Sequence, residues 1–177
     1  MRTITLRALF FTLSAFFFSS LAFGQSYQKG DKLLNIGAGF GSQFMASGAT
    51  GAPPVGLSLE FGATDKISIG VYGGYAGATV ETAVGDWDYT YIIAGGRGSY
   101  HFDFGGEKLD PYLGVLLGYN IASVNTSSNL PAASTSAGGF IWGGHAGARY
   151  LLGPKFGVFA ELGYGVAWLT GGISLKF

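Results

Sequence analysis

The chain has 177 residues, of which 48% are hydrophobic, 11% are charged, 32 are glycine and none is cysteine. The lack of cysteine excludes a disulfide framework and a thiolate zinc site, and the glycines do not recur every third residue, which excludes a collagen-like chain. Ten basic and ten acidic residues leave no basic excess of the kind that nucleic-acid binding requires.

The first 24 residues have the pattern of a secretory signal peptide. Two arginines supply a positive start, an apolar run follows, and small residues at Ala22 and Gly24 favour cleavage before Gln25. The apolar run is shorter than the ~20 residues of a spanning helix, so an uncleaved anchor is the weaker alternative. We therefore predict a signal peptide at 1–24 and one mature domain at 25–177, with eight basic and ten acidic residues and a net charge of −2.

The rest of the chain alternates apolar with polar or small residues, with the period of two that side chains follow on a β-strand. One face of each stretch is almost entirely Ile, Leu, Val, aromatic, Ala or Gly, which is typical of a strand with one face in lipid. The alternation predicts eight strands, at 32–41, 54–62, 67–76, 89–102, 111–121, 139–151, 156–164 and 166–177.

The length and pattern of these strands predict a membrane barrel. A strand of ~10 residues with a rise of ~3.3 Å and a tilt of ~40° covers the ~25 Å apolar band of an outer-membrane barrel. An open sheet would leave unpaired backbone groups in hydrocarbon, so the sheet must close. A soluble barrel would place its charges outside, whereas here the charged residues fall on the opposite, inward faces. The predicted fold class is an all-β, eight-stranded antiparallel transmembrane up-and-down β-barrel.

The predicted connections alternate in length. Short turns face the periplasm and longer loops face outward in outer-membrane barrels, with a very short outer connection near Gly165 as an exception. The predicted turns are 63–66, 103–108 and 152–155, and the predicted loops are 42–53, 79–88 and 125–138.

Aromatic residues on the outward faces gather at two heights, as expected for rings that favour the membrane interfaces. Those at the turn end are Phe61, Tyr100, Phe102, Tyr150, Phe156 and Phe177. Those at the loop end are Phe40, Tyr75, Tyr119, Phe140, Trp142 and Tyr164.

Several segments resemble those of a known family. The signal peptide, Asp110-Pro111-Tyr112-Leu113-Gly114, Gly118-Tyr119-Asn120, the hairpin Phe159-Ala160-Glu161-Leu162-Gly163-Tyr164 and the terminal Phe177 resemble the outer-membrane β-barrel domain family. These are small porin-like proteins of Gram-negative bacteria, common in Bacteroidota and similar to OmpX/OmpA-type eight-stranded barrels. The resemblance implies a location in the cell outer membrane, contact with outer-membrane lipids, and recognition of Phe177 by the outer-membrane assembly machinery. It supplies no catalytic residues.

Five charged residues are predicted to face the lumen. An eight-stranded barrel is filled by its own side chains, and lone buried charges are costly, so these groups should pair. Glu60 and Arg149 are predicted to meet across the lumen, and Trp168 is predicted to fill it. Either an ion-pair core or a narrow pore gated by the same pairs is compatible with the sequence. The candidates are Glu60, Arg97, Arg149, Glu161 and Lys176.

Three motifs have competing interpretations. Ser99 and His101 share an inward face, as in lipid-modifying acyl-transfer enzymes, but lie near the periplasmic end, and His145 is predicted to have no serine beside it. Three acidic residues in the second outer loop are a weak cation-site hypothesis, and nearby aromatic residues form either a binding platform or a cover for the barrel. These residues are Glu81, Asp86 and Asp88, and Trp87, Tyr89 and Tyr91.

The sequence thus favours a non-enzymatic outer-membrane protein, a monomer with a structural or surface-contact role. A narrow channel for small solutes or ions is the first alternative, and a lipid-modifying enzyme is the second. No catalytic residue, metal, cofactor or nucleic-acid partner is predicted.

Overall fold

The computed structural model describes residues 26–42, 50–82, 85–104, 106–126 and 135–177. Within these ranges no helix is long and apolar enough to cross a membrane. The predicted signal peptide at 1–24 lies outside the described residues. The strands are β1 (Lys32–Phe40), β2 (Val55–Gly62), β3 (Ile67–Thr82), β4 (Gly85–His101), β5 (Leu109–Thr126), β6 (Thr135–Leu151), β7 (Phe156–Gly163) and β8 (Leu169–Lys176).

The eight strands form one closed antiparallel barrel. Each strand pairs with its neighbours in the chain, and β8 pairs back onto β1. This confirms the predicted eight-stranded up-and-down barrel. Closure leaves no open sheet edge, which is the condition for placing a sheet in hydrocarbon.

Alternation along each strand sorts side chains between the two faces of the barrel wall. On β5, Leu113, Val115 and Leu117 point outward and are 53%, 59% and 54% exposed. Tyr112 and Leu116 point inward and are each 2% exposed. Large exposed apolar side chains continue on all the other strands. A surface this apolar and this extensive is stable in lipid and unstable in water.

Four strands extend further than the sequence predicts. β3 to β6 are 16 to 18 residues long, whereas the other four strands have 8 or 9 residues. The predicted loop at 79–88 is mostly a ladder that continues to the pair Thr82 and Gly85, and the predicted loop at 125–138 already gives way to β6 at Thr135. Both loop predictions were wrong in extent. Above the membrane water contacts both faces of a strand, so a strand there needs no apolar face and the alternation does not reveal it.

The connection between β7 and β8 also differs from the prediction. β8 begins at Leu169, and Gly163 N–H donates to the Trp168 carbonyl at 3.0 Å to close the connection. Ala167 is buried and Trp168 is 52% exposed, so the predicted inward position of Trp168 was wrong. The period of two holds only within a strand, and the residues of this tight connection do not keep its phase.

Eleven of the twelve aromatic residues assigned to the two interface belts are exposed, from Phe102 at 39% to Phe40 at 80%. Tyr164 is the exception. It is half-buried and packs against buried apolar residues inside the barrel. Its assignment to the outer surface was wrong for the same reason as that of Trp168, because Tyr164 follows the last residue of β7.

Inward glycines allow the small barrel to close. Gly95 and Gly118 face each other on β4 and β5. A Cβ added at Gly95 would overlap the Leu117 carbonyl oxygen and lie 2.7 Å from Gly118 Cα. Gly73 on β3 faces outward, and a Cβ there would meet nothing within 4 Å.

We expect Gly95→Ala to lower the free energy of unfolding by about 1–3 kcal/mol, as overpacking does. Gly73→Ala, the matched control, should change it by less than about 0.5 kcal/mol. Urea titration of both variants refolded in lipid vesicles measures the difference. Equal stability of the two variants would contradict the crowding at Gly95.

Candidate functional site

Charged and polar side chains fill the half of the barrel nearest the turns. Arg97 on β4 donates two hydrogen bonds to the Glu161 carboxylate on β7, at 2.7 and 3.3 Å. Its Nε lies 3.3 Å from Oε1 of Glu60 on β2. The Tyr112 hydroxyl donates a further hydrogen bond of 2.9 Å to Glu161. Arg97 on β4 therefore connects to β2 and β7, two strands that are not neighbours of β4 in the barrel.

A second group forms around Asp110, the second residue of β5, which is 1% exposed. Its carboxylate accepts a hydrogen bond from Nη1 of Arg149 on β6 and lies 2.7 Å from His101 Nδ1. Arg149 Nε also donates to Asn35 Oδ1 on β1 at 3.3 Å. This group joins β1, β4, β5 and β6.

Two buried serines connect the groups. The Ser68 hydroxyl donates to Glu60 Oε2 at 2.6 Å and lies 2.9 Å from His101 Nε2. The Ser99 hydroxyl donates to the same oxygen at 2.8 Å and lies 3.0 Å from His145 Nε2. The prediction that His145 has no serine beside it was therefore wrong. We call this connected set the ionic layer; its members are Glu60, Ser68, Arg97, Ser99, His101, Asp110, His145, Arg149 and Glu161.

The structure places four of the five charged candidates in the ionic layer, but with different partners from those predicted. The fifth, Lys176, lies apart from it and contacts Asp31 and the Ser26 carbonyl at the turn end. Glu60 pairs with Arg97 rather than with Arg149, and Arg149 pairs with Asp110. The predicted contact between Glu60 and Arg149 was wrong. Both residues do point inward, but the stagger of the strands places a nearer partner beside each.

Sequence reasoning missed two carboxylates. Asp110 lies two residues before the inward Tyr112, and Asp31 lies two residues before the inward Leu33. The Asp31 carboxylate lies 2.7 Å from Nζ of Lys176. Extending the alternation by one step at the start of each strand would have found both residues.

The order Asp110, His101, Ser68 is the order of a hydrolase triad. In a hydrolase the serine hydroxyl gives its hydrogen to the imidazole, but here Ser68 donates to Glu60. Ser68 is also 0% exposed. The Tyr27 ring stacks on His101 with their centroids 3.6 Å apart. Among the described residues, Ser68 therefore has neither the donor geometry nor the solvent access of a hydrolase serine.

The residues before β1 cover the turn end of the barrel. Ser26 Oγ donates to the Leu109 carbonyl at 2.8 Å, and Lys176 Nζ donates to the Ser26 carbonyl at 2.9 Å. Tyr27 is 3% exposed. Burial, followed by the charges of Asp110 and Asp31, raises the pKa of Tyr27. The ring therefore remains a neutral phenol over the ionic layer.

Apolar side chains fill the half of the barrel nearest the loops. The Tyr72 hydroxyl accepts a hydrogen bond of 3.1 Å from the Val166 N–H, so the connection between β7 and β8 is fixed inside the mouth. The lumen is therefore occupied at two heights. We call this second set the apolar layer; it consists of Ala76, Ile93, Ile141, Val166 and Ala167, with Tyr72, Tyr91 and Tyr164 packed against them.

The extended ladder of β3 and β4 carries the remaining candidates. Trp87 is 37% exposed, and Tyr91 packs on the apolar layer. Glu81 lies opposite Asp86, and Asp88 accepts a hydrogen bond of 2.8 Å from the Thr79 hydroxyl. Among the described residues, no group of three His, Cys, Asp or Glu is arranged to hold a metal ion.

Solved structures that are similar to the chain in fold include barrel proteins of Gram-negative bacteria. Ail, the attachment invasion locus protein of Yersinia pestis, is 18% identical, with 84% of this chain and 95% of that chain covered and a TM-score of 0.51. OprG from Pseudomonas aeruginosa is 14% identical, with 87% and 99% covered and a TM-score of 0.54. No protein-family model and no curated protein sequence matches the chain.

A de novo designed transmembrane β-barrel is also similar, at 14% identity and a TM-score of 0.50, with 87% of this chain and all of the designed chain covered. A designed barrel matches almost as well as natural ones, so the likeness carries the fold and not an activity. The chain has the architecture of the small eight-stranded outer-membrane β-barrels.

Proposed function

We propose that the chain is a non-enzymatic integral outer-membrane protein with a closed lumen and a structural or surface-contact role. The observation that carries this proposal is the occupation of the lumen at two heights, by the ionic layer and by the apolar layer. An open pore requires a continuous water-filled path, and the near-complete burial of most members of both layers argues against one in the described part of the chain.

The buried charges also favour a structural role. A charge that gates a pore needs water or a mobile partner, whereas Arg97, Glu60 and Arg149 are at most 6% exposed and already in contact with partners. Each of these contacts joins different strands. The ionic layer therefore acts as a set of cross-links that holds the barrel closed.

Export and assembly complete the proposal. A signal peptide cleaved before Gln25 would deliver the chain to the periplasm, and Phe177, at the end of the apolar alternation of β8, is proposed as the residue recognised by the assembly machinery. The ring of Phe177 is 56% exposed and therefore accessible to a partner. The barrel is proposed to work as a monomer surrounded by outer-membrane lipids.

Surface contact is proposed for the part of the barrel that extends beyond the short strands. There the ladder of β3 to β6 presents Trp87, Tyr89 and Val124 on its inner side. Rigid aromatic side chains on a β-ladder lose little conformational entropy when a partner binds. We propose this side as the contact surface.

Recording from a planar bilayer tests the closed lumen. Refolded protein, with insertion verified by the gel-mobility difference between boiled and unboiled samples, is expected to give no steady single-channel current. A large porin added to the same bilayer serves as the positive control. A reproducible unitary current from this protein alone would reject the closed lumen and favour a narrow channel.

A further inference from the structure

All exposed lysines of the described chain lie at the turn end of the barrel. Four of them occupy equivalent places in the fold, one at the turn end of each odd-numbered strand. Lys32 is the first residue of β1, and Lys66, Lys108 and Lys155 immediately precede β3, β5 and β7. Because consecutive strands are neighbours in the closed barrel, these lysines fall at every second strand around the rim. We call them the lysine ring.

Backbone hydrogen bonds fix each position. The carbonyls of Lys66, Lys108 and Lys155 accept from backbone N–H groups on neighbouring even-numbered strands at 2.7, 2.7 and 2.9 Å. Lys32 exchanges two hydrogen bonds, of 2.9 and 3.0 Å, with Phe177. The backbone of the lysine ring is thus part of the barrel ladder, so its height relative to the membrane is set by the fold.

The ammonium groups of the lysine ring have no carboxylate partner within 4.0 Å among the described residues, although acidic residues precede three of them in sequence. Asp31 pairs with Lys176, and Asp65 accepts the backbone N–H of Lys29 at 3.1 Å. All four side chains are exposed. Their charges are therefore available to a partner outside the protein.

The other end of the barrel has the opposite character. The sequence between β1 and β2, the outer ends of β3 to β6 and the connection to β8 contain no Lys or Arg, and their only charged residues are Glu81, Asp86 and Asp88. The remaining two cations of the mature domain, Arg97 and Arg149, are buried in the ionic layer. The exposed positive charge is therefore confined to one membrane interface.

We propose that the lysine ring binds the phosphate groups of anionic phospholipids in the periplasmic leaflet. Lys32 lies opposite the exposed Phe61 in the ladder, and Lys155 precedes the exposed Phe156, so the ring lies at the height of the aromatic belt. Long lysine side chains extend from this height to the headgroups. The inference depends on the membrane barrel and its orientation, and it is independent of whether the lumen conducts.

Spin-labelled lipids test the proposal. The protein is refolded in phosphatidylcholine vesicles, and electron paramagnetic resonance gives the ratio of bound to free label for spin-labelled phosphatidylglycerol and phosphatidylcholine. A lysine near a membrane surface raises association with anionic lipid by up to about fivefold. We expect the wild type to select phosphatidylglycerol severalfold, and salt at high concentration to abolish the selection by screening.

The variant with Lys32, Lys66, Lys108 and Lys155 all replaced by Gln should lose this selection, while Glu81→Gln with Asp86→Asn and Asp88→Asn, at the other end, should retain it. Unchanged selection in the quadruple variant, or equal loss in both variants, would overturn the proposal. If the quadruple variant does not fold, the pairs Lys32→Gln with Lys108→Gln and Lys66→Gln with Lys155→Gln should each remove part of the selection. A loss of selection confined to one pair would contradict the proposal that all four lysines of the ring bind anionic lipid.

Discussion

Replacing Arg97 with methionine is expected to lower the free energy of unfolding by about 3–5 kcal/mol, the usual cost of removing one partner of a buried ion pair. The guanidinium is the cation that contacts both Glu60 and Glu161. Methionine would leave the Glu60 and Glu161 carboxylates without this cation, and the side chain of Glu60 is 0% exposed. The contacts that Arg97 makes from β4 to β2 and β7 would also be lost. Urea titration in vesicles, followed by tryptophan fluorescence and gel mobility, measures the change.

Two controls separate the charge from its geometry. Arg97→Lys keeps the positive charge but loses the bidentate contact with Glu161, so an intermediate loss is expected. Lys29→Met removes an exposed cation outside the barrel and should change stability by less than about 0.5 kcal/mol. A loss below about 1 kcal/mol for Arg97→Met would show that the ionic layer does not hold the barrel closed.

Replacing Val115 with arginine should lower the free energy of unfolding by about 2–4 kcal/mol, because a charge on the lipid face near the bilayer centre is costly. Val115 is 59% exposed and lies near the middle of the apolar band on β5. At an exposed position of a soluble protein, the same change would have almost no effect. The same urea titration in vesicles measures it.

The matched control is Ser123→Arg, on the same face of the same strand but closer to the loops. Its cost should fall to about 0–1 kcal/mol, since charged side chains are tolerated near the interface. Equal effects at the two positions would be inconsistent with a depth-dependent lipid environment around the barrel.

The fold was predictable because lipid imposes a strict pattern on the strands that it contacts. Alternation of the kind seen at Leu113, Val115 and Leu117 recurs in eight stretches of the chain. It predicted the eight strands and the face on which each side chain lies. The pattern ends where the lipid ends, so the outer extensions of β3 to β6 were assigned to loops. Trp168 and Tyr164 were placed on the wrong faces because a tight connection follows turn geometry instead of strand alternation.

The ionic layer was predictable in composition and not in pairing. Alternation directs Glu60, Arg97 and Arg149 inward whatever the register. The partner of each residue depends on strand stagger and on the width of the lumen, which follow from closure of the whole sheet. His101 and His145 illustrate the limit, since each contacts a serine on another strand.

The measurement that tests the central claim most directly uses the absence of cysteine from the sequence. Single cysteines at Val115 and Asn125, on the same outward face of β5, are treated with a membrane-impermeant maleimide in intact membranes and again after unfolding in urea. We predict that Val115→Cys is protected in the membrane, that Asn125→Cys is labelled there, and that both are labelled once unfolded. Rapid labelling of Val115→Cys in intact membranes would mean that water, and not lipid, surrounds the barrel.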